Sequence, residues 1–427
     1  MSDPKPTRAR FVILSLLAAG TMINYLDRTV MGVAAPSLSK ELGLTAAQMG
    51  VIFSAFSWSY AAAQIPGGIV LDRIGVKLTY FLSVTIWSGF TLVQGFATGF
   101  ASLLGCRLGL GLAEAPCFPA NSRVLSAWFP QQERARATGV FSVGMYAGIG
   151  FLSTLLAWIA GNWGWRVLLI VVGVAGIIFG FIWIRMYREP HESPQINQAE
   201  LDYIKAGGGL GHQGATTVFQ WRHVGFLLRQ RQVLGAAIGQ FAGNATLVFF
   251  LTWFPTYLAT ERHLAWIKVG FFTSLPFIAA AAGVITGGLW SDALLRRTGS
   301  ANIARKLPII TGLVLAAMIV IANFVPSNAL VITVMSVAFF GQGMVNLGWT
   351  LITDVAPKKL FGLTTGLFNF CTNLAGIVTP LLVGYVVTTT GSFAWALAVI
   401  GCIALSGALS YVFLVGDVRR VEFDDAA

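Results

Sequence analysis

Charge is what this sequence has least of. Only 11% of its 427 residues are Asp, Glu, Lys or Arg, against 56% hydrophobic residues. A soluble domain carries about a quarter charged residues, so this chain cannot clothe itself in polar surface. Histidine and cysteine are also scarce, at four each. His191, His212, His223 and His263 fall in stretches that read as loops, which argues against a histidine proton relay or metal site. Cys106, Cys117, Cys371 and Cys402 lie in apolar segments without metal-ligand spacing and are expected as buried thiols. The opening "MSDPKPTRARF" precedes an apolar run too long for a signal peptide and without a small-residue cleavage site, so it reads as a polar tail. No nucleophile–base pair, metal cluster or phosphate loop is visible, so neither an enzyme nor a cofactor is expected. The net charge of +11 is spread over short loops. That spread fits membrane topology and not a nucleic-acid surface.

What the chain does have is long apolar runs. Twelve segments of membrane-spanning length fall at 11–35, 47–70, 78–97, 100–122, 138–160, 166–186, 234–258, 268–290, 307–325, 329–352, 361–386 and 393–415. The expected architecture is an all-α membrane protein of 12 transmembrane helices in two pseudo-symmetric halves, surrounded by lipid. The division is an N-terminal bundle (1–186), a polar linker (187–233) and a C-terminal bundle (234–427). Within the linker, "SPQINQAELDYIKAG" predicts a short surface helix starting at Ser-Pro and ended by Gly207. Of the 28 Lys and Arg, 22 fall on the side of the termini and linker; Lys40, Arg166, Arg262 and Lys268 fall opposite, and Arg28 and Arg107 lie within spans. The positive-inside rule then makes that side cytoplasmic. The halves echo one another: "IPGGIVLDRIG" (65–75) matches "ITGGLWSDALL" (285–295), and Pro36 corresponds to Pro255. Such a parallel repeat relates the halves by an axis along the membrane normal, with a ligand site between them.

Four charged residues lie clearly inside spans: Asp27 and Arg28 in span 1, Arg107 and Glu114 in span 4. Each costs about 2.5–3.5 kcal/mol at a helix centre on insertion scales, so such groups are functional by default. Arg107 and Glu114 share a helical face, as do Tyr25 and Arg28. Span 2 adds Trp58, Tyr60 and Gln64 within two turns. An arginine in a polar cavity offers a planar fork to a carboxylate, and an acid there can exchange a proton. The alternative is that the four charges only pair and hold helices together, a poor use of buried ions. The C-terminal half carries neutral groups instead: Asn346, Trp349, Thr350, Asn369, Thr372 and Asn373. Amides and an indole suit a polyol, although interhelical hydrogen bonding is the plainer reading of Asn in membranes.

The stretch "GGIVLDRIGVKLT" (67–79) carries Gly68, Asp72, Arg73, Gly75 and Lys77 in the loop expected between spans 2 and 3. It fits the Gly-x-x-x-Asp-Arg-x-Gly-x-Lys signature and resembles the major facilitator superfamily. Physically it reads as a latch: glycines permit close helix approach, and Asp72 pairs with an arginine, with Arg134 and Arg136 as candidates. Through "NYLDR", "FSWSYAAAQIPGGIVLDRIG", "LGLAEAPCFPANSRV" and "LSYVFLVGDVRRVE" the chain is similar to the anion:cation symporter family almost throughout. That family includes sialin and bacterial galactonate and glucarate transporters.

The resemblance implies that Arg28 and Arg107 meet the substrate carboxylate or neighbouring acids. It implies proton coupling at Asp27 and Glu114, and a sugar-acid site lined by Tyr25, Tyr60 and Asn369. The resemblance has two departures: Met145 stands where galactonate transporters carry a site glutamine on helix 5, and Asn346 stands where they carry a smaller Ser. The expected function is a proton-coupled importer of a sugar acid such as galactonate or glucarate, working as a monomer in a bacterial inner membrane. A hexuronate or other organic anion is the alternative; a proton/drug antiporter shares the fold but more often lacks the arginine pair.

Overall fold

A computed structural model describes residues 6–209 and 221–423, and every regular element within them is helical. The α-helices are α1 (Ala9–Leu42), α2 (Ala46–Gln94), α3 (Phe100–Glu114), α4 (Cys117–Trp128), α5 (Gln131–Met186), α6 (Gln198–Ala206), α7 (Trp221–Arg229), α8 (Arg231–Thr252), α9 (Phe254–Thr260), α10 (Trp266–Thr298), α11 (Ala301–Ala317), α12 (Asn328–Val345), α13 (Gly348–Val355), α14 (Phe361–Thr390) and α15 (Phe393–Leu409). They supply the twelve spans of the expected fold. α2 and α5 each hold two spans, joined at one non-helical residue: Gly75 (φ 76°, ψ 169°) and Gly164 (φ 82°, ψ 168°). Only glycine adopts that backbone region at ease. The motif expected as a loop is thus a single reversing residue between two helix ends.

Three spans are broken. α3 stops at Glu114 because Ala115-Pro116 follows and proline cannot continue the hydrogen-bond ladder. α8 gives way to α9 at Trp253, just before Pro255. α12 gives way to α13 at Asn346–Leu347. The junction residues keep right-handed helical φ/ψ, so each break is a lapse in the hydrogen-bond ladder and not an unwound segment. The first and third breaks occupy the same position in the two halves, span 4 and span 10, and bring Glu114 and Asn346 to helix ends.

The halves meet through α1 on α8 and α9, α2 on α14, and α5 on α10. On the face away from the linker the closure is largely apolar. One core cluster there draws Met31, Phe53 and Ile149 from the first half together with Phe250, Phe254 and Phe339 from the second. Phe250 stacks on Phe339 at 4.2 Å, and Tyr146 meets Phe339 edge-on at 6.2 Å. Two polar contacts add to it: Ala47 N–H donates to Thr388 Oγ1 (2.8 Å), and Thr154 and Ser274 hydroxyls bond at 3.0 Å.

The linker packs on the opposite face. Asn197, and not the Ser-Pro pair, caps α6, and Gly207 ends it as expected. The Glu200 carboxylate is fully buried and accepts from Ala9 N–H (3.1 Å) and Arg10 (2.8 Å). Arg10 also pairs with Glu133 at 3.0 Å. At the other end of the chain, Val421 N–H donates to Val355 O, and Phe423 packs on His223 of α7. Both ends of the described chain therefore lie on the linker side. His223 sits buried on a helix and His191 in a short 3-10 turn, not in open loops; His212 lies outside the described residues. The cysteines are all free, but only Cys117 is buried, while Cys402 is exposed on the face of a span.

Candidate functional site

A cavity of about 890 Å³ lies between the halves, walled by Tyr25, Arg28, Tyr60, Gln64 and Arg107 on one side and by Asn346, Trp349 and Asn369 on the other. It reaches Ser122 within α4 and Thr138, Gly362 and Thr365 near the linker-side ends of their helices, whereas the apolar cluster closes the opposite end. The molecule therefore faces the linker side.

Arg28 is the centre of the charged wall. Its Nε donates to Glu114 Oε1 at 2.9 Å, and Nη2 closes a second, ion-paired contact on the same oxygen. Glu114 is fully buried, whereas the Arg28 side chain keeps 16% exposure toward the cavity. Aromatic rings surround the guanidinium: its carbon lies 4.8 Å from the Phe56 centroid, 5.1 Å from Tyr25 and 5.2 Å from Tyr60. Such faces stabilise a cation without neutralising it. Arg107 lies against Phe56 too (5.3 Å), and its Nε and Nη1 have no hydrogen-bond partner among the described residues.

Asp27 is placed differently. It does not line the cavity; it is buried between α1 and the second span of α2, where the Trp87 indole donates to its Oδ2 at 2.8 Å. The two acids thus have unlike partners, and only Glu114 is tied to an arginine.

The second wall is uncharged among the described residues. Asn373 donates to the backbone and side-chain oxygens of Asn369 (2.9 and 3.0 Å), and Asn244 donates to Thr372 O (2.8 Å). Trp349 is held edge-on by Phe368 at 5.0 Å. Gln240, Asn244 and Gln342 also line the wall and were missed in the sequence. The signal existed: each is an amide in an apolar helix, and Gln240–Asn244 and Gln342–Asn346 are both four apart. Met145 lines the cavity in place of an amide. Trp58 does not belong to it. It points outward with 38% exposure, because Ser57, Tyr60 and Gln64 set the inward face and Trp58 lies a helical step off it.

The latch residues sit at the linker-side end of the first half. Asp72 pairs with Arg123 of α4 at 2.9 Å, not with Arg134. Arg134 instead donates to the Ser126, Phe129 and Gly208 carbonyls, closing the end of α4 and tying down the linker. The Arg136 side chain lies outside the described residues, and Arg73 is exposed. The tight helix approach falls at Gly67, where a Cβ would meet Pro116 Cγ at 2.9 Å; Gly68 faces open space.

A twelve-span fold with a large cavity walled by both halves is the architecture of a membrane transporter. The family model described as "Major Facilitator Superfamily" matches residues 17–378, and the chain belongs to that superfamily. It is 44% identical to the Escherichia coli protein named "Probable galactarate/D-glucarate transporter", covering 100% of this chain and 98% of that one. It is also 44% identical to a D-galactonate transporter of Escherichia coli, with 98% of each chain covered. A hexuronate transporter of Bacillus subtilis is 34% identical over 95% of this chain and 94% of that one. Among solved structures, a bacterial homologue of the human lysosomal transporter Spinster, inward-facing and occupied, superposes with a TM-score of 0.70 at 20% identity. That match covers 95% of this chain and 94% of the other.

Proposed function

We propose that this protein is a proton-coupled importer of a sugar-acid monoanion or dianion, such as galactonate or glucarate, by alternating access. The observation that carries the reading is Arg28 on the cavity wall, ion-paired to the buried Glu114 behind it and facing a wall of amides and an indole. While Glu114 is ionised, its oxygen occupies the guanidinium fork. A proton on Glu114 removes the competing charge and leaves Arg28 free to hold a substrate carboxylate through two parallel N–H bonds. Asn346, Asn369 and Trp349 then face the hydroxylated tail, as donors, acceptors and an apolar platform. Arg107 supplies a second buried cation behind Phe56. Asp27, held by Trp87 and outside the cavity, acts as the second proton site, linked to the packing of α1 on α2.

In this cycle protons and substrate load from the outer side, the halves rock, and release inward lets the Arg28–Glu114 pair re-form. Coupling requires that the loaded and empty forms cross while half-loaded forms do not. The halves 1–186 and 234–427 are taken as the rocking units, with 187–233 as their linker, and the Asp72–Arg123 end of the first half as part of the latch. The linker side is assigned to the cytoplasm from its Lys and Arg content, in a bacterial inner membrane, with a single chain as the working unit. Hexuronates fit the same anchor and tail recognition, which the Bacillus subtilis relative keeps in view.

The test is uptake of labelled aldonates, aldarates and hexuronates into proteoliposomes under an imposed pH gradient. Glu114→Gln should abolish proton-driven accumulation and retain substrate exchange. Accumulation that survives this change overturns the coupling role, and absence of sugar-acid uptake by the unaltered protein overturns the substrate class.

A further inference from the structure

We propose that α7 and the end of the chain form a docking site for anionic phospholipid headgroups on the linker-side leaflet. The inner stripe of α7 is occupied: His223 and Leu227 are buried, and the Phe423 ring meets His223 at 5.2 Å and Phe226 at 5.1 Å. The opposite stripe, Trp221, Arg222, Gly225, Leu228 and Arg229, is exposed. Bulky apolar side chains flanked by guanidinium groups on one face are the composition of a helix that lies in the plane of a membrane interface.

Its position in the fold agrees. Only Gln230 separates α7 from the span α8, and its ψ of 114° is not helical, so α7 turns off the span at its linker-side end. The last span ends on the same side, with Leu409, Val412 and Phe413 exposed on its surface where acyl chains run. From there the chain passes Gly416, whose Cβ position is 3.9 Å from Arg231 Nη2, and ends on α7 through Phe423. Arg419 and Arg420 lie between those two contacts, and both are exposed.

Arg222, Arg229, Arg231, Arg419 and Arg420 therefore lie along one edge of the second half, and the adjoining tail carries the acids Asp417, Glu422, Asp424 and Asp425. Asp417 is already engaged by the Asn302 amide at 3.4 Å. The exposed stripe of α7 holds two guanidinium forks, and the helix has no acid of its own. Beside a lipid-facing surface such forks match the phosphodiester of an anionic lipid.

The experiment uses the full chain in nanodiscs of equimolar phosphatidylglycerol and phosphatidylcholine, with lipid retention read by native mass spectrometry. The unaltered protein should retain phosphatidylglycerol preferentially, and R222Q/R229Q/R419Q/R420Q should cut that preference by about fivefold. R296Q/R297Q, which removes exposed charges from the end of α10 on the same side, should leave it intact. The preference of the unaltered protein should also weaken as salt is raised. Unchanged retention in the fourfold variant, an equal loss in R296Q/R297Q, or a salt-independent preference overturns the proposal.

Discussion

The Trp87 indole donates to Asp27 Oδ2 across 2.8 Å, and both side chains are shut off from the substrate cavity. An acid held by a neutral donor behaves differently from one held by a cation. Trp87 favours the ionised carboxylate by one charge-assisted hydrogen bond, about 1.5–3 kcal/mol, without fixing its charge state. The geometry therefore separates the two acids: Glu114 reports on the arginine anchor, and Asp27 on the contact between α1 and α2.

Trp87→Phe removes that donor and keeps most of the ring. The pH midpoint of substrate accumulation should move to more alkaline values, because the lost bond served only the ionised form. The shift should vanish in an Asp27→Asn background, where no carboxylate remains to lose it. A double-mutant cycle in proteoliposome uptake measures the coupling. An equal shift in both backgrounds would assign Trp87 to packing alone.

Arg28→Lys keeps the charge and loses the planar fork. Nε and Nη2 both engage Glu114, so the geometry is that of a guanidinium and not of a point charge. The variant should bind sugar acid roughly tenfold to a hundredfold more weakly, the equivalent of about 1.5–3 kcal/mol for a hydrogen bond to a charged group. Calorimetric titration of the purified variant checks this, and undiminished affinity would move the anchor to Arg107.

How far the site was legible follows from contrast. Arg28, Glu114, Tyr60 and Asn369 stood out because polar side chains are rare in apolar segments; Arg28, Tyr60 and Asn369 line the cavity, and Glu114 is buried behind it on Arg28. Trp58 misled because an aromatic inside such a segment does not declare its helical phase, and one residue of phase, about 100°, turned it outward. Trp87 gave no signal at all; a tryptophan that donates to a carboxylate reads the same as one that packs. Arg123 gave no signal as the partner of Asp72, because it sits midway along the helix α4 and not in a loop. The twelve spans were legible from length and hydropathy, but the break at Asn346, unlike the one before Pro116, has no nearby proline to announce it.

Two ion pairs on the linker side should differ sharply in their contribution to stability. Glu200 is fully buried with Arg10 as its cation, so Arg10→Ala strands a carboxylate. Breaking one partner of a buried pair costs about 3–5 kcal/mol. Asp72 is 79% exposed, and Arg123→Ala should leave unfolding almost unchanged. Thermal unfolding in detergent distinguishes the two; comparable losses in both variants would mean that the linker helix does not depend on its buried pair.

The outer closure rests on glycines rather than on charge. A Cβ on Gly50 would lie 2.5 Å from Pro380 O, and one on Gly384 would lie 2.6 Å from Ala46 O, each across the boundary between halves. Backbone cannot move aside as a flexible side chain can, so Gly50→Val or Gly384→Val overpacks this conformation specifically. A penalty of about 1–3 kcal/mol shifts a two-state ratio by roughly one to two powers of ten. The population should move toward outward-open molecules while the cavity residues stay intact. Spin labels at K40C and K268C, both exposed near the outer ends of their helices, should report longer distances in either variant than in the parent. Unchanged distance distributions would show that the glycine contacts are not what holds the outer face shut.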